Sequence, residues 1–169
     1  MKRTLLSVAL SAMVLFLFCG KEASTGHGLT WYDFQTGMKK AKELKRPVVI
    51  DFYASWCSWC AVMERETFGH EEVARRLKND YVTIRVDVEK GANITMGGSV
   101  INPQQFAAMM GVKGLPSVAF MDRDGGLITM IPGYIKADTF LPLLDYIKSE
   151  CYLRKVSFQD YVKKGDCGK

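Results

Sequence analysis

Two cysteines three positions apart, Cys57 and Cys60, are the residues of this chain best placed by type and spacing to do chemistry. They follow an apolar, strand-forming run, Val48-Val49-Ile50-Asp51-Phe52-Tyr53-Ala54, and precede a stretch that reads as a helix. With Ser58 to Cys60 in the first turn of that helix, Cys57 stands at its N-terminus, where free backbone N–H groups and the helix dipole favour a thiolate. One turn on, Cys60 is close enough to attack a mixed disulfide formed on Cys57. The pair can therefore perform dithiol–disulfide exchange. Two plainer readings stand beside this one: half of a zinc site, which needs two more matched ligands, and a disulfide with a structural role only. Cys19, Cys151 and Cys167 form no second short knuckle, and His27 and His70 flank no such pair, so neither metal nor cofactor is expected.

Asp51 lies six positions before Cys57, inside the apolar run. Burial disfavours a charged carboxylate, so its pKa should rise. A carboxylate beneath the second thiol could take the proton of Cys60 when that thiol must attack. An Asp that only hydrogen-bonds at a sheet edge is the alternative.

The elements that must hold these residues follow from periodicity. Trp31, Phe34, Met38, Ala41 and Leu44 recur at helical spacing, predicting a helix over Tyr32 to Lys45 that Pro47 stops. Val48 to Ala54, apolar on both faces, predicts a strand in the middle of a sheet. The helix after Cys60 is expected to break at Thr67-Phe68-Gly69, with a second helical segment from His70 to Leu77. Tyr81 to Val88 alternates as a strand. Residues 89–103 carry turn signals at Gly91, Asn93, Gly97 and Gly98 and read as a loop. A short helix over Gln104 to Met110, a strand over Leu115 to Met121, a tight turn at Asp122 to Gly126, an antiparallel return over Leu127 to Ile131 and a final helix over Ala137 to Ser149 complete the pattern. This order gives an α/β architecture, a central mixed sheet with helices on both faces.

The 169 residues suffice for one domain of ordinary size. Lys2 and Arg3 followed by the almost unbroken apolar run Leu5 to Phe18 read as a secretory signal, residues 1–19. A stretch of ~14 apolar residues is short of the ~20 that a membrane span needs. Leu15-Phe16-Leu17-Phe18-Cys19-Gly20 resembles the end of a lipoprotein signal, with Cys19 as the lipidated residue, except that Phe18 stands where such signals carry a small residue. Export in either form implies a periplasmic or otherwise extracytoplasmic protein, membrane-anchored if Cys19 carries lipid. Residues 20–30 read as a tether. Removing Lys2 and Arg3 lowers the formal charge from +5 to +3, spread over both signs, so nucleic acid is not an expected partner.

Asp51 ahead of Trp56-Cys57-Ser58-Trp59-Cys60, with Pro116 opening a later strand, resembles the thioredoxin superfamily over residues 31–150. The wording around the cysteines, continuing through Glu64, Thr67-Phe68 and Glu72-Val73, is similar to exported thioredoxin-like proteins and to the periplasmic C-terminal domain of the transmembrane thiol:disulfide interchange protein. The resemblance implies a thioredoxin-like fold, Cys57 as attacking and Cys60 as resolving thiol, and Pro116 as a cis-proline beside the disulfide. It further implies that Leu115 presents backbone to an extended substrate, with Trp56 and Trp59 on the rim. Ser58-Trp59 departs from the Gly-Pro dipeptide of ordinary thioredoxins. The implied activity is reduction of disulfides in exported proteins, by a monomer supplied by a membrane electron donor. A disulfide oxidase or isomerase, or a non-catalytic binding module, are the alternatives. Beyond the resemblance, residues 151–169 form an extension in which Cys151 and Cys167 are expected to pair and staple the tail; a second redox pair that relays electrons is the other reading.

Overall fold

The computed structural model describes residues 23–24 and 28–168. The signal segment, Cys19 and most of the expected tether lie outside the described residues. Four strands form the central sheet: β3 (Val48–Tyr53), β4 (Val82–Asp87), β7 (Ser117–Met121) and β8 (Leu127–Pro132), in the order β4-β3-β7-β8. β3 runs parallel to β4 and antiparallel to β7, which in turn pairs antiparallel with β8. Helices α1 (Phe34–Leu44) and α4 (Pro103–Met109) cover one face; α3 (Glu71–Asp80) and α5 (Ala137–Lys148) cover the other. The mixed, doubly covered sheet expected from the pattern is the one observed.

Alternation along the strands decides what each layer contains. Val48, Ile50 and Phe52 of β3 join Val82, Ile84 and Val86 of β4 in the core under α1 and α4, with Phe34 and Phe106 packed ring to ring at 4.7 Å. The odd-numbered residues of both strands face the opposite layer, where Val49 meets Phe120, Phe140, Leu144 and Leu77. Asp51 and Arg85 share this face and are direct neighbours in the parallel register. The segment before α1 lies along the outer side of β4, with Tyr32 N–H donating to the Thr83 carbonyl and Arg85 N–H to the Tyr32 carbonyl. That covers part of an otherwise open sheet edge.

Local chemistry sets the helix ends. Asp33 caps α1 by accepting from Thr36 N–H at 2.9 Å, and Lys45, at φ 54°, turns the chain out ahead of Pro47. Asn102 and Gln105 form a capping box around Pro103 at the start of α4.

Three expectations are corrected. The helix after Cys60, α2 (Ser58–Met63), runs on through a π-helical turn over Glu64–Phe68, so the expected break before α3 falls at Gly69-His70 and not at Thr67 and Phe68. Thr67 and Phe68 are core residues there: the Thr67 hydroxyl donates to the Ile135 carbonyl, and Phe68 packs edge-on against Trp31 and Phe140. Residues 89–103 are not all loop, because β5 (Ile94–Met96) and β6 (Ser99–Ile101) pair as a hairpin that buries Ile94. The expected tether includes β1 (Ala23–Ser24), paired with β2 (Thr30–Trp31). The tail carries a 3₁₀ turn (Cys151–Arg154) and a helix, α6 (Phe158–Lys164).

Cys151 and Cys167 are joined as a disulfide. Phe158 and Tyr161 pack their rings on Tyr146 of α5, each with centroids 5.5 Å away. Opening this bridge, with its sequence separation of 16, should lower stability by about 3 kcal/mol if the unfolded chain behaves as an unconstrained loop. The Cys167→Ala variant tests this by urea unfolding: a midpoint equal to wild type would show that the bridge constrains nothing.

Candidate active site

β3 ends at Tyr53, and Ala54 to Trp56 turn the chain into α2. Cys57 is the N-cap, in an extended conformation (φ −78°, ψ 98°), and its sulfur accepts the Cys60 N–H at 3.1 Å. The Cys57 carbonyl accepts from Cys60 and Ala61 N–H, closing the first turn. The cap places the Cys57 sulfur in the field of the helical run over residues 58–68. Cys57 and Cys60 are joined as a disulfide with Cα atoms 5.2 Å apart. Cys57 is 7 % exposed and Cys60 half-buried, while Trp56 and Trp59 beside them are largely open to solvent.

Asp51 is only 3 % exposed, and β3 lies inside the sheet, so the edge-strand alternative does not describe it. The neighbour that makes its burial tolerable is Arg85, whose Nε donates to Asp51 Oδ2 at 3.0 Å. Arg85 also pairs with Glu64 in the π-helical turn. Its guanidinium lies 4.3 Å from the Trp31 ring centroid and 5.0 Å from that of Tyr53. Two carboxylates, one fixed cation and two aromatic faces therefore form a single cluster.

Burial pushes the Asp51 carboxyl up to about 6; Arg85 pulls it back, and the like charge of Glu64 adds to the rise. Arg85 is also raised: burial works against its charge, but Asp51 and Glu64 outweigh that. The two shifts are compatible, because Arg85 would lose its proton only at a pH where Asp51 is already ionised.

A cavity of about 230 Å³ is lined by Asp51, Tyr53, Cys57, Cys60, Glu64 and Arg85. Asp51 and both cysteines thus border one space. On the other flank of the sheet strand, Ser117 pairs with Phe52, which brings Pro116 level with Tyr53 and the turn to Cys57. The Leu115–Pro116 bond is cis, Pro116 is buried, and Leu115 packs partly against the α1 and α4 core. Gly133, at φ +84°, returns its N–H to the Pro116 carbonyl at 2.9 Å.

Residues 34–148 match the family model of the thioredoxin-like domain. The chain belongs to the thioredoxin-like family. Over 119 residues it is 32% identical to the thiol:disulfide interchange protein DsbD of Vibrio vulnificus, covering 69% of this chain and 18% of that protein. It therefore spans less than a fifth of that relative. The C-terminal domain of Neisseria meningitidis DsbD in its reduced form is 28% identical, covers 66% of this chain and 90% of its own, and superposes with a TM-score of 0.50. A thioredoxin-fold protein from Helicobacter pylori superposes with a TM-score of 0.60 at 19% identity, covering 72% of this chain and 80% of its own, a likeness of fold alone. A thioredoxin-like chain with a Cys-x-x-Cys disulfide at the head of a helix is a thiol:disulfide redox protein.

Within this thioredoxin-like site, the structure brings Cys57, Cys60 and Asp51 around one cavity, with Trp56, Trp59 and the Leu115–Pro116 bond on the rim side. It does not bring in Cys151 and Cys167. Cys151 follows the end of α5, near Pro47 and Asp122 at the start of β3 and the end of β7, the opposite pole of the sheet from Cys57. Direct relay between the two disulfides within one molecule has no route. Arg85 and Glu64 were missed as site residues in the sequence. The one hint for Arg85 was its being the lone cation in the alternating strand Val82–Asp87.

The raised Asp51 pKa fixes the sign of a stability effect. The carboxyl binds its proton more tightly in the fold than in the unfolded chain, so its contribution is fully present below pH ~3.8 and is lost as pH rises through about 6. A shift of about two units corresponds to about 3 kcal/mol. Wild type should therefore lose about that much stability between pH 4 and pH 8 relative to Asp51→Asn, measured by urea unfolding across pH. Parallel pH profiles would show that Asp51 is not raised.

Proposed function

We propose that this chain is an extracytoplasmic protein-disulfide reductase acting through a Cys57/Cys60 dithiol. The observation that carries this reading is the N-cap Cys57 sharing one cavity with Cys60 and the buried Asp51. Further support comes from the thioredoxin-like family match and the likeness to thiol:disulfide interchange proteins. Export rests on residues 1–19, outside the described residues; among the described residues no helix is long and apolar enough to cross a membrane.

In the reducing direction the Cys57 thiolate attacks one sulfur of a substrate disulfide. A mixed disulfide forms and the first substrate thiolate leaves, taking a proton from water. Cys60 then gives its proton to ionised Asp51 through the shared cavity, and its thiolate attacks the Cys57 sulfur. The Cys57–Cys60 disulfide forms as the bond to the substrate sulfur breaks; the second substrate thiolate leaves and takes the proton back from Asp51, so the substrate departs with both cysteines reduced and two electrons gained. The Leu115–Pro116 segment and the two tryptophans hold the substrate chain beside Cys57. An oxidising compartment cannot restore the dithiol, so a dithiol donor at the membrane supplies the two electrons for each cycle. Protein disulfides are the substrates, and a single copy suffices for the reaction.

Asp51 must be ionised to act as acceptor, so the resolving step should gain rate as pH rises through about 6. Replacement by Asn should remove that inflection and slow resolution by about 10²-fold or more at pH 7. Stopped-flow decay of the mixed disulfide reads this, and an unchanged profile would remove Asp51 from the step.

Reduction of insulin disulfides tests the reading as a whole. Cys57→Ser should abolish it, and Cys60→Ser should accumulate a mixed disulfide on Cys57. Trapping on Cys60 in the Cys57→Ser variant instead would reverse the two roles, a pointed test because Cys57 is the more buried residue of the two. A potential near about −270 mV for the pair accords with a reductase; one near about −120 mV would make it an oxidant.

A further inference from the structure

Trp59 occupies the third position of Cys57-Ser58-Trp59-Cys60 and remains 58 % exposed, although it is not free of contacts. Its ring packs against Tyr134 with centroids 5.5 Å apart and planes inclined by 42°. Tyr134 is fixed at both ends. On its backbone side, Gly133 N–H is bonded to the Pro116 carbonyl, so the residue is tied to the cis-proline. At its tip, the phenol hydroxyl donates to Glu66 Oε2 at 3.0 Å. Glu66 belongs to the same helical run as Trp59, seven residues and about two turns further on, so Tyr134 bridges two points of one helix face.

An exposed indole is costly to leave in water, and a surface tryptophan held in one place by a second, anchored ring is a preformed apolar shelf. The shelf is tied to the site at both ends: Trp59 directly precedes Cys60, and Tyr134 directly follows Gly133, whose N–H is bonded to the Pro116 carbonyl. With Trp56, 66 % exposed on the other side of Cys57, it gives the site an aromatic rim. The nearest acidic group does not turn the shelf into a cation site: Glu66 already accepts both the Tyr134 hydroxyl and Arg65 Nη2, the latter at 2.8 Å.

We propose that Trp59 and Tyr134 form a side-chain subsite that selects substrate disulfides flanked by an aromatic or large aliphatic residue. The subsite rests on the exchange reading above and adds its specificity. Trp59 touches the flanking side chain; Tyr134 holds Trp59 and floors the shelf; Glu66 positions Tyr134.

The test uses a set of disulfide-bonded peptides that differ only in the residue beside the attacked cysteine: Phe, Leu, Gly, Arg or Glu. Wild type should reduce the Phe and Leu peptides with kcat/KM at least about tenfold above the Gly peptide, the scale expected for burying one apolar side chain. Trp59→Ala and Tyr134→Ala should bring the Phe-to-Gly ratio to within about twofold of unity, and Trp59→Phe should restore most of it. A ratio that survives both alanine variants overturns the subsite, as does a preference for Arg over Phe. Equal loss on every peptide leaves the ratio intact and overturns it too. If wild type reduces every peptide without regard to the flank, the subsite alone fails. If it reduces none, the exchange reading fails and takes the subsite with it.

Discussion

A carboxylate sits in the middle of the central strand, and the arrangement of the surrounding elements follows from making that bearable. An unpaired Asp51 in this interior would cost several kcal/mol in its charged form or surrender its charge altogether. Arg85 supplies the counter-charge only because β3 and β4 run parallel with Asp51 and Arg85 in register. The guanidinium needs its own support, and Trp31 and Tyr53 provide two ring faces for it. Glu64 completes the set from the point where α2 becomes π-helical. Shifting β4 by one residue would turn Arg85 to the other layer and leave Asp51 among apolar neighbours.

The same cluster sets the conditions for exchange in the proposed reaction. The like charge of Glu64 makes the Asp51 carboxylate harder to form. Among the described residues Arg85 is the one cation lining that cavity, and it cannot be lost at working pH. It lets Asp51 titrate at about 6 instead of far higher, so at neutral pH the acceptor is mostly ionised and ready for the Cys60 proton. A lysine at this position would offer a point charge without the fork that reaches both carboxylates.

What could be read from the sequence divides along a physical line. Val48 to Ala54 as a central strand, α1 up to Pro47, and the β7–β8 hairpin were legible because periodicity and turn chemistry there agree with the fold. Asp51 was legible as an outlier in an apolar run. Its partners were not, because strand register is a long-range property and Arg85 is 34 positions away. The π turn over Glu64–Phe68 was missed for a related reason: Thr67, Phe68 and Gly69 have poor helical propensity, and burial of Phe68 against Trp31 and Phe140 overrides it. The β5–β6 hairpin and α6 are short and carry weak periodicity, so only their packing partners reveal them.

The two disulfides show how one covalent bond serves different ends by position. Cys151 is fully buried under a tail that packs on α5, at the pole away from α2. Its bridge ties the tail back to the end of α5. Cys57 and Cys60 sit at a helix start, next to a raised carboxyl and between exposed aromatic rings. In the proposed exchange the helix field stabilises the leaving thiolate, Asp51 takes or returns a proton, and the exposed rings receive the substrate chain. The π turn links these features: Glu64 at its start faces Arg85, while Glu66, two residues on, faces outward to Tyr134. A regular continuation of α2 would alter the phase of Glu66 relative to Glu64, so one local change of helix geometry helps set one acidic residue on the inner side at Arg85 and the other on the outer side at Tyr134.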